Sequence, residues 1–209
     1  TDAAGNNNTA ATQFTWTYDG TAPTISVTTP AQNASIKDTK VSYTLSETVA
    51  LGRVTFTQTG GPDDTDSPHR QDLSGNELNT GAHNNITLTN NPTLEDGAIY
   101  TIAFDATDAA GNVATRITRT GVTYDVTAPT MAITAAEGAD GLTSNDATLT
   151  LTFTSSEPTA DFAVGDISVD NGALSDFAQT SSTVYTATFT PTAEGAATID
   201  VAGSTFKDA

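Results

Sequence analysis

Cysteine is absent from the 209 residues, so the chain has no disulfide framework, no thiolate nucleophile and no cysteine-based zinc or iron–sulfur site. Stability has to come from packing or from hard metal ions. Basic residues are scarce, with 7 Lys and Arg against 25 Asp and Glu, a net charge of −18. A field of that sign repels nucleic acid and anionic membranes, and makes cations the expected partners. No apolar run approaches the roughly 20 residues of a membrane-spanning helix, and no secretion-signal pattern stands at the N-terminus. Any export or anchoring signal is therefore expected elsewhere. Strong helix formers are sparse while Thr, Gly and Asn are frequent, a balance that suits strands and turns.

The length suits two domains of about 100 residues, and the sequence repeats itself accordingly. Thr1-Asp2-Ala3-Ala4-Gly5-Asn6 recurs as Thr107-Asp108-Ala109-Ala110-Gly111-Asn112, an offset of 106. In the same register, Thr17-Tyr18-Asp19-Gly20-Thr21-Ala22-Pro23-Thr24 recurs as Thr123-Tyr124-Asp125-Val126-Thr127-Ala128-Pro129-Thr130. A third, partial copy is Phe206-Lys207-Asp208-Ala209. The expected organisation is a final strand of a preceding repeat at 1–18, one domain at 19–124, and a second at 125–209 that lacks its last strand.

Alternation of apolar residues marks the strands. The first domain offers Ile25/Val27, Val41/Tyr43/Leu45, Val54/Phe56, Ile86/Leu88, Tyr100/Ile102/Phe104 and Ile117 to Tyr124. The second offers Met131/Ile133, Leu149/Leu151/Phe153, Ile167/Val169, Tyr185/Ala187/Phe189 and Ala197/Ile199/Val201. Such spacing predicts an all-β chain of two tandem immunoglobulin-like antiparallel β-sandwich domains of about seven strands each. Leu94-Glu95-Asp96-Gly97 ahead of Tyr100 reads as the turn before a tyrosine corner.

With its Asp-x-Thr-Ala-Pro-Thr linker and Asp-Ala-Ala-Gly-Asn turn, the chain resembles the bacterial Ig-like repeats of giant calcium-dependent adhesins exported by type I secretion, including biofilm-associated proteins. The resemblance implies an extracellular, secreted or cell-surface location, a non-enzymatic extender role in adhesion or biofilm formation, and calcium bound at the junctions between head-to-tail repeats.

In such a sandwich, the loops after the second and sixth strands lie at the pole where the linker enters. Asp19, Glu47, Asp108 and Asn112 are thereby expected together, as are Asp125, Glu157 and Asp208, with Asp96 a further candidate beside the second set. Asp2 and Asn6 are the same turn one repeat earlier. Carboxylates gathered this closely repel unless a cation lies between them, and Ca2+ accepts six to eight oxygens in flexible geometry. The plainer reading of the Asp-Ala-Ala-Gly-Asn turn is an Asx turn with glycine at positive φ.

The remaining signals are bland. Asp63, Asp64 and Asp66 are expected in a solvated acidic loop because the rest of a calcium-loop pattern is absent. His69 and His83 are expected on the surface, Asn171-Gly172 in a hairpin turn, and Trp16, with Phe14 and Tyr18, in a core. The short Thr-Ala-Pro linker predicts domains stacked end to end. Residues 1–18 carry a spare strand that could pair with the incomplete second domain of another molecule. Two other functions are open: a carbohydrate- or protein-binding module acting through residues 60–85, or an accessory module of a secreted hydrolase.

Overall fold

The computed structural model describes residues 3–7 and 13–208. It is an all-β structure whose helical geometry, among the described residues, is confined to 3-10 turns at Gly75–Leu78 and Val164–Asp166. The chain divides into two compact units, Thr1–Val126 and Thr127–Ala209.

Unit one contains β1 (Ile25–Thr29), β2 (Ser35–Ile36), β3 (Val41–Leu45), β4 (Leu51–Gly60), β5 (His69–Asp72), β6 (Gly81–Ile86), β7 (Ile99–Thr107) and β8 (Ile117–Tyr124). These form two sheets, ordered β1-β3-β6 and β2-β8-β7-β4-β5. Pairing is antiparallel except between the two-residue β2 and β8. Alternation fixes the faces, because a strand with an apolar residue at every second position can bury one side only. Val41, Tyr43 and Leu45 point inward from one sheet, and Val54, Phe56, Tyr100, Ile102, Phe104 and Val122 from the other. Each large apolar side chain so enclosed contributes about 1.5–3 kcal/mol. The Tyr100 hydroxyl accepts a hydrogen bond from the Glu95 backbone N–H at 2.9 Å, the expected tyrosine corner.

Local expectations fail where the backbone departs from simple pleating. The alternation of Ile25 and Val27 is broken by a bulge between Ser26 and Thr29, with Val27 at φ 48°. Thr28 is buried in its place and Val27 is 71% exposed. Strands β2 and β5 carry too little apolar pattern to be read from sequence.

Unit two contains β9 (Met131–Ala135), β10 (Leu149–Ser155), β11 (Ile167–Asp170), β12 (Gly172–Gln179), β13 (Val184–Pro191) and β14 (Thr198–Val201). One sheet runs β12-β13-β10-β9, and the other is the pair β11-β14. The core gathers around Phe162, whose ring meets Tyr185 at 4.9 Å and Phe206 at 5.1 Å in edge-on geometry. Asn171-Gly172 is not a hairpin turn. The strands on either side of it belong to different sheets, and Asn171 (φ 54°) carries the chain around the corner. Its side-chain amide is held by the carbonyls of Ala193 and Ala196 at 3.1 and 3.2 Å.

The expectation of a core position for Trp16 also fails. Phe14, Trp16 and Tyr18 are 89%, 73% and 79% exposed, and residues 13–24 form no strand.

Candidate metal site

Two backbone-to-hydroxyl bonds fix the corner after β3. The Thr24 N–H donates to Ser46 Oγ at 2.9 Å, and the Ser46 N–H donates back to the Thr24 carbonyl at 3.1 Å. This clasp draws the incoming linker against the residue before Glu47. Upstream, the Thr21 N–H donates to Asp19 Oδ1 at 3.0 Å, an Asx turn that bends the linker. Unit two repeats the clasp, with Thr130 N–H to Ser156 Oγ at 3.0 Å and Ser156 N–H to the Thr130 carbonyl at 2.9 Å.

Asp108 directly follows β7 and closes the turn toward β8. Its N–H donates to the Asn112 carbonyl at 3.1 Å, and Asp108 Oδ1 accepts the Asn112 N–H at 2.8 Å. Gly111 supplies the positive φ (94°) that this closure requires. The Asn112 amide then donates twice, to Asp108 Oδ2 at 2.9 Å and to the Asp19 carbonyl at 3.1 Å. The turn is thus tied to the linker by a single side chain. Burial pushes the Asp108 carboxyl up, but the Asn112 amide and the backbone N–H groups of Asn112, Ala110 and Gly111 outweigh it and hold the group below the usual carboxylate range.

The result is that one oxygen each of Asp19, Glu47 and Asp108 lies within 4.8 Å of the others. Asp19 is exposed, Glu47 half-buried and Asp108 buried. No lysine, arginine or histidine among the described residues makes an ion pair with these three. Oxygens bound to one Ca2+ at about 2.3–2.6 Å can stand at most about 5 Å apart, so the spacing suits that ion. The donors are all oxygen, which disfavours softer metals. In the sequence the same residue types recur as Asp125, which closes unit one, and as Glu157 and Asp208 of unit two.

The other sequence candidates lie elsewhere. Asp2 falls outside the described residues, and Asn6 is exposed. Asp96 Oδ1 accepts the Val126 N–H at 2.8 Å.

A second polar cluster was not foreseen. Asp64, expected in a solvated loop, has a side chain only 7% exposed and His69 one of 11%. Asp64 Oδ2 accepts the Tyr100 hydroxyl at 2.6 Å and faces His69 Nε2 at 2.7 Å, while Asp64 Oδ1 accepts the Asp66 N–H at 3.1 Å. Burial raises the Asp64 carboxyl, but these hydrogen bonds and the His69 charge carry it below the ordinary value. Tyr100 is pushed up to about 12, by burial first and the Asp64 bond second. His83 likewise packs, its ring stacked on Tyr43 at 4.7 Å. A signal was present in the tyrosine corner, because a buried hydroxyl that accepts from a backbone N–H must still donate to some acceptor.

Two sandwiches of this kind, each entered through an Asp-x-Thr-Ala-Pro linker, define a tandem Ig-like module. Two family models, both of the bacterial Ig-like domain, match it, one over residues 19–125 and the other over 125–209. The chain belongs to the bacterial Ig-like domain family. Such domains are commonly found in surface proteins and are typically non-catalytic modules. No curated protein matches the chain.

Proposed function

We propose that this chain is a non-enzymatic, calcium-binding extender segment of a bacterial surface adhesin, acting outside the cell. The observation that carries the reading is the convergence of Asp19, Glu47 and Asp108, from three separate parts of unit one, onto oxygens within 4.8 Å of one another. Three like charges in that space repel, and a bound Ca2+ relieves the repulsion while fastening the linker to the two loops. Recurrence in the sequence of the same residue types at Asp125, Glu157 and Asp208 supports a device used once per repeat. A spacer built in this way gains stability and stiffness only where calcium is plentiful, as it is extracellularly. Adhesion and biofilm support belong to this proposal through the family's frequent occurrence in surface proteins.

Isothermal titration with Ca2+ and with Mg2+ tests it. Calcium should bind with a dissociation constant of about 10⁻⁴–10⁻³ M, as expected of extracellular modules, and Asp19→Ala should remove one class of sites. Absence of calcium binding by the unaltered chain sinks the proposal.

A further inference from the structure

On the five-stranded sheet of unit one, alternation sends to the outer face whatever the core does not take. Val54, Phe56, Ile102 and Phe104 point inward, so Arg53, Thr55, Ala103 and Asp105 point outward. Asp72 and Arg70 of β5 stand opposite Arg53 and Thr55, and Thr118 of β8 stands opposite Ala103. Two rows result across the strands. One holds Asp72, Arg53 and Asp105 and ends at Arg116, whose guanidinium grips both Asp105 oxygens at 2.7 and 2.9 Å. The next holds Arg70, Thr55, Ala103 and Thr118. Three of the four arginines thus share one face of a chain whose net charge is −18.

The charges on this face do not cancel. Asp72 accepts from Arg53 Nε at 2.6 Å and Asp105 accepts from Arg116, but Arg70 is exposed and makes no ion pair with a described residue. One positive charge is left over. A guanidinium carries five N–H donors, and these bonds use one in Arg53 and two in Arg116, so both keep donors for a ligand. A cleft of about 310 Å³ lies among them, lined by the three arginines with Thr55, Thr57 and Ala103. Ala103 is its floor, pointing outward yet only 8% exposed, a methyl group beneath longer neighbours. That volume is at the small end of ligand sites and suits one sugar-sized unit.

The chemistry of the cleft selects its occupant. Arg70 calls for an anion. A sulfate can only accept hydrogen bonds, so it meets the Asp72 and Asp105 carboxylates with repulsion and brings them no donor. A sugar hydroxyl donates to a carboxylate and accepts from a guanidinium or a threonine at the same time. A ring with one carboxylate and several hydroxyls therefore satisfies the whole set, whereas a run of acidic side chains does not. We propose that this face binds an acidic polysaccharide, seating one uronic-acid unit with its carboxylate forked on Arg70 and its hydroxyls on Arg53, Arg116, Asp105 and Thr55. Thr57 and Thr118 at the margins are exposed, so the cleft is open along the sheet and a polymer can pass through it. The inference does not rest on the calcium reading.

Titration calorimetry of the full chain with a galacturonic-acid hexamer tests it, in the presence of a chelator so that calcium cannot bridge the two. The hexamer should bind, and its methyl ester, which keeps the hydroxyls but loses the charge, should bind at least about tenfold more weakly. Arg70→Ala should cause a loss of the same order, with Arg70→Lys between the two, since an ammonium keeps the charge but not the fork. Because Arg70 makes no ion pair with a described residue, both variants should melt as the unaltered chain does. Lys40→Ala, beside β3 of the other sheet, removes the same charge and should change nothing. The proposal is overturned if the unaltered chain does not bind the hexamer, or if Arg70→Ala binds it equally well. Equal binding of the methyl ester overturns it too. So does polyglutamate or heparin binding as tightly as the hexamer, which would leave only an attraction between opposite charges.

Discussion

The Asn112 side-chain amide reaches the Asp19 carbonyl at 3.1 Å across 93 positions of sequence, while bonding Asp108 Oδ2 at 2.9 Å. One uncharged residue therefore sets the distance between two of the three candidate calcium ligands. Replacing Asn112 with Ala should cost about 1 kcal/mol of hydrogen-bond energy in unit one. It should also weaken calcium binding several-fold, because the Asp19 carbonyl then loses its tie to the Asp108 turn. Titration calorimetry and thermal melts of the variant check both effects. Unchanged affinity would mean that the linker is fixed by the Thr24–Ser46 clasp without help from the turn.

Calcium removal provides a broader check. At a free concentration about a hundred times the dissociation constant, each occupied site adds about 2.7 kcal/mol, which for a domain near 100 residues corresponds to roughly 10 °C or more. Chelation should lower the melting temperature of unit one by that order, and Asp19→Ala should abolish the dependence. Asp63→Ala should leave it intact, since Asp63 is exposed and outside the carboxylate group. Equal losses in the two variants would place the ion elsewhere.

The core of unit two rests heavily on one ring. Phe162 contacts Phe153, Phe177, Tyr185 and Phe206, with centroid separations from 4.9 to 6.0 Å. Phe162→Ala should destabilise unit two by about 3–5 kcal/mol through lost transfer energy and the cavity left behind. Denaturant melts followed by a unit-two probe should show the loss, with unit one unaffected.

What could be read from the sequence was whatever a period or a repeat encodes. The alternation at Val41, Tyr43 and Leu45 is a consequence of one-sided burial, so it survives in any sandwich. The carboxylate group of unit one was visible because Asp19, Glu47 and Asp108 each precede or follow a strand end whose pole the fold class assigns. Asp64, His69 and Tyr100 escaped because their meeting depends on how a non-repeating loop folds over the β4–β5 edge, which no period records. Val27 and Asn171 escaped for a related reason. A bulge or a corner between sheets is one backbone angle, and the residues around it keep the composition of an ordinary strand or turn.

Acid should expose the role of the unforeseen cluster. Asp64 is held below the ordinary carboxylate value, so its folded-state pKa is depressed relative to the unfolded chain. A group of that kind contributes stability that is fully present above the unfolded value of about 3.9 and is lost as pH falls through the folded value. The ionised carboxylate accepts from Tyr100 and faces His69. Once protonated, it must surrender one of its acceptor positions and the favourable charge. Asp64→Asn removes the ionisation while keeping the shape, so this variant should be less stable than the unaltered chain at pH 5–6. The two should converge as pH falls below about 4. Melting curves of unit one at half-unit intervals from pH 2 to 6, in the absence of calcium, measure the difference. A gap that stays constant across that range would mean that Asp64 contributes through packing alone.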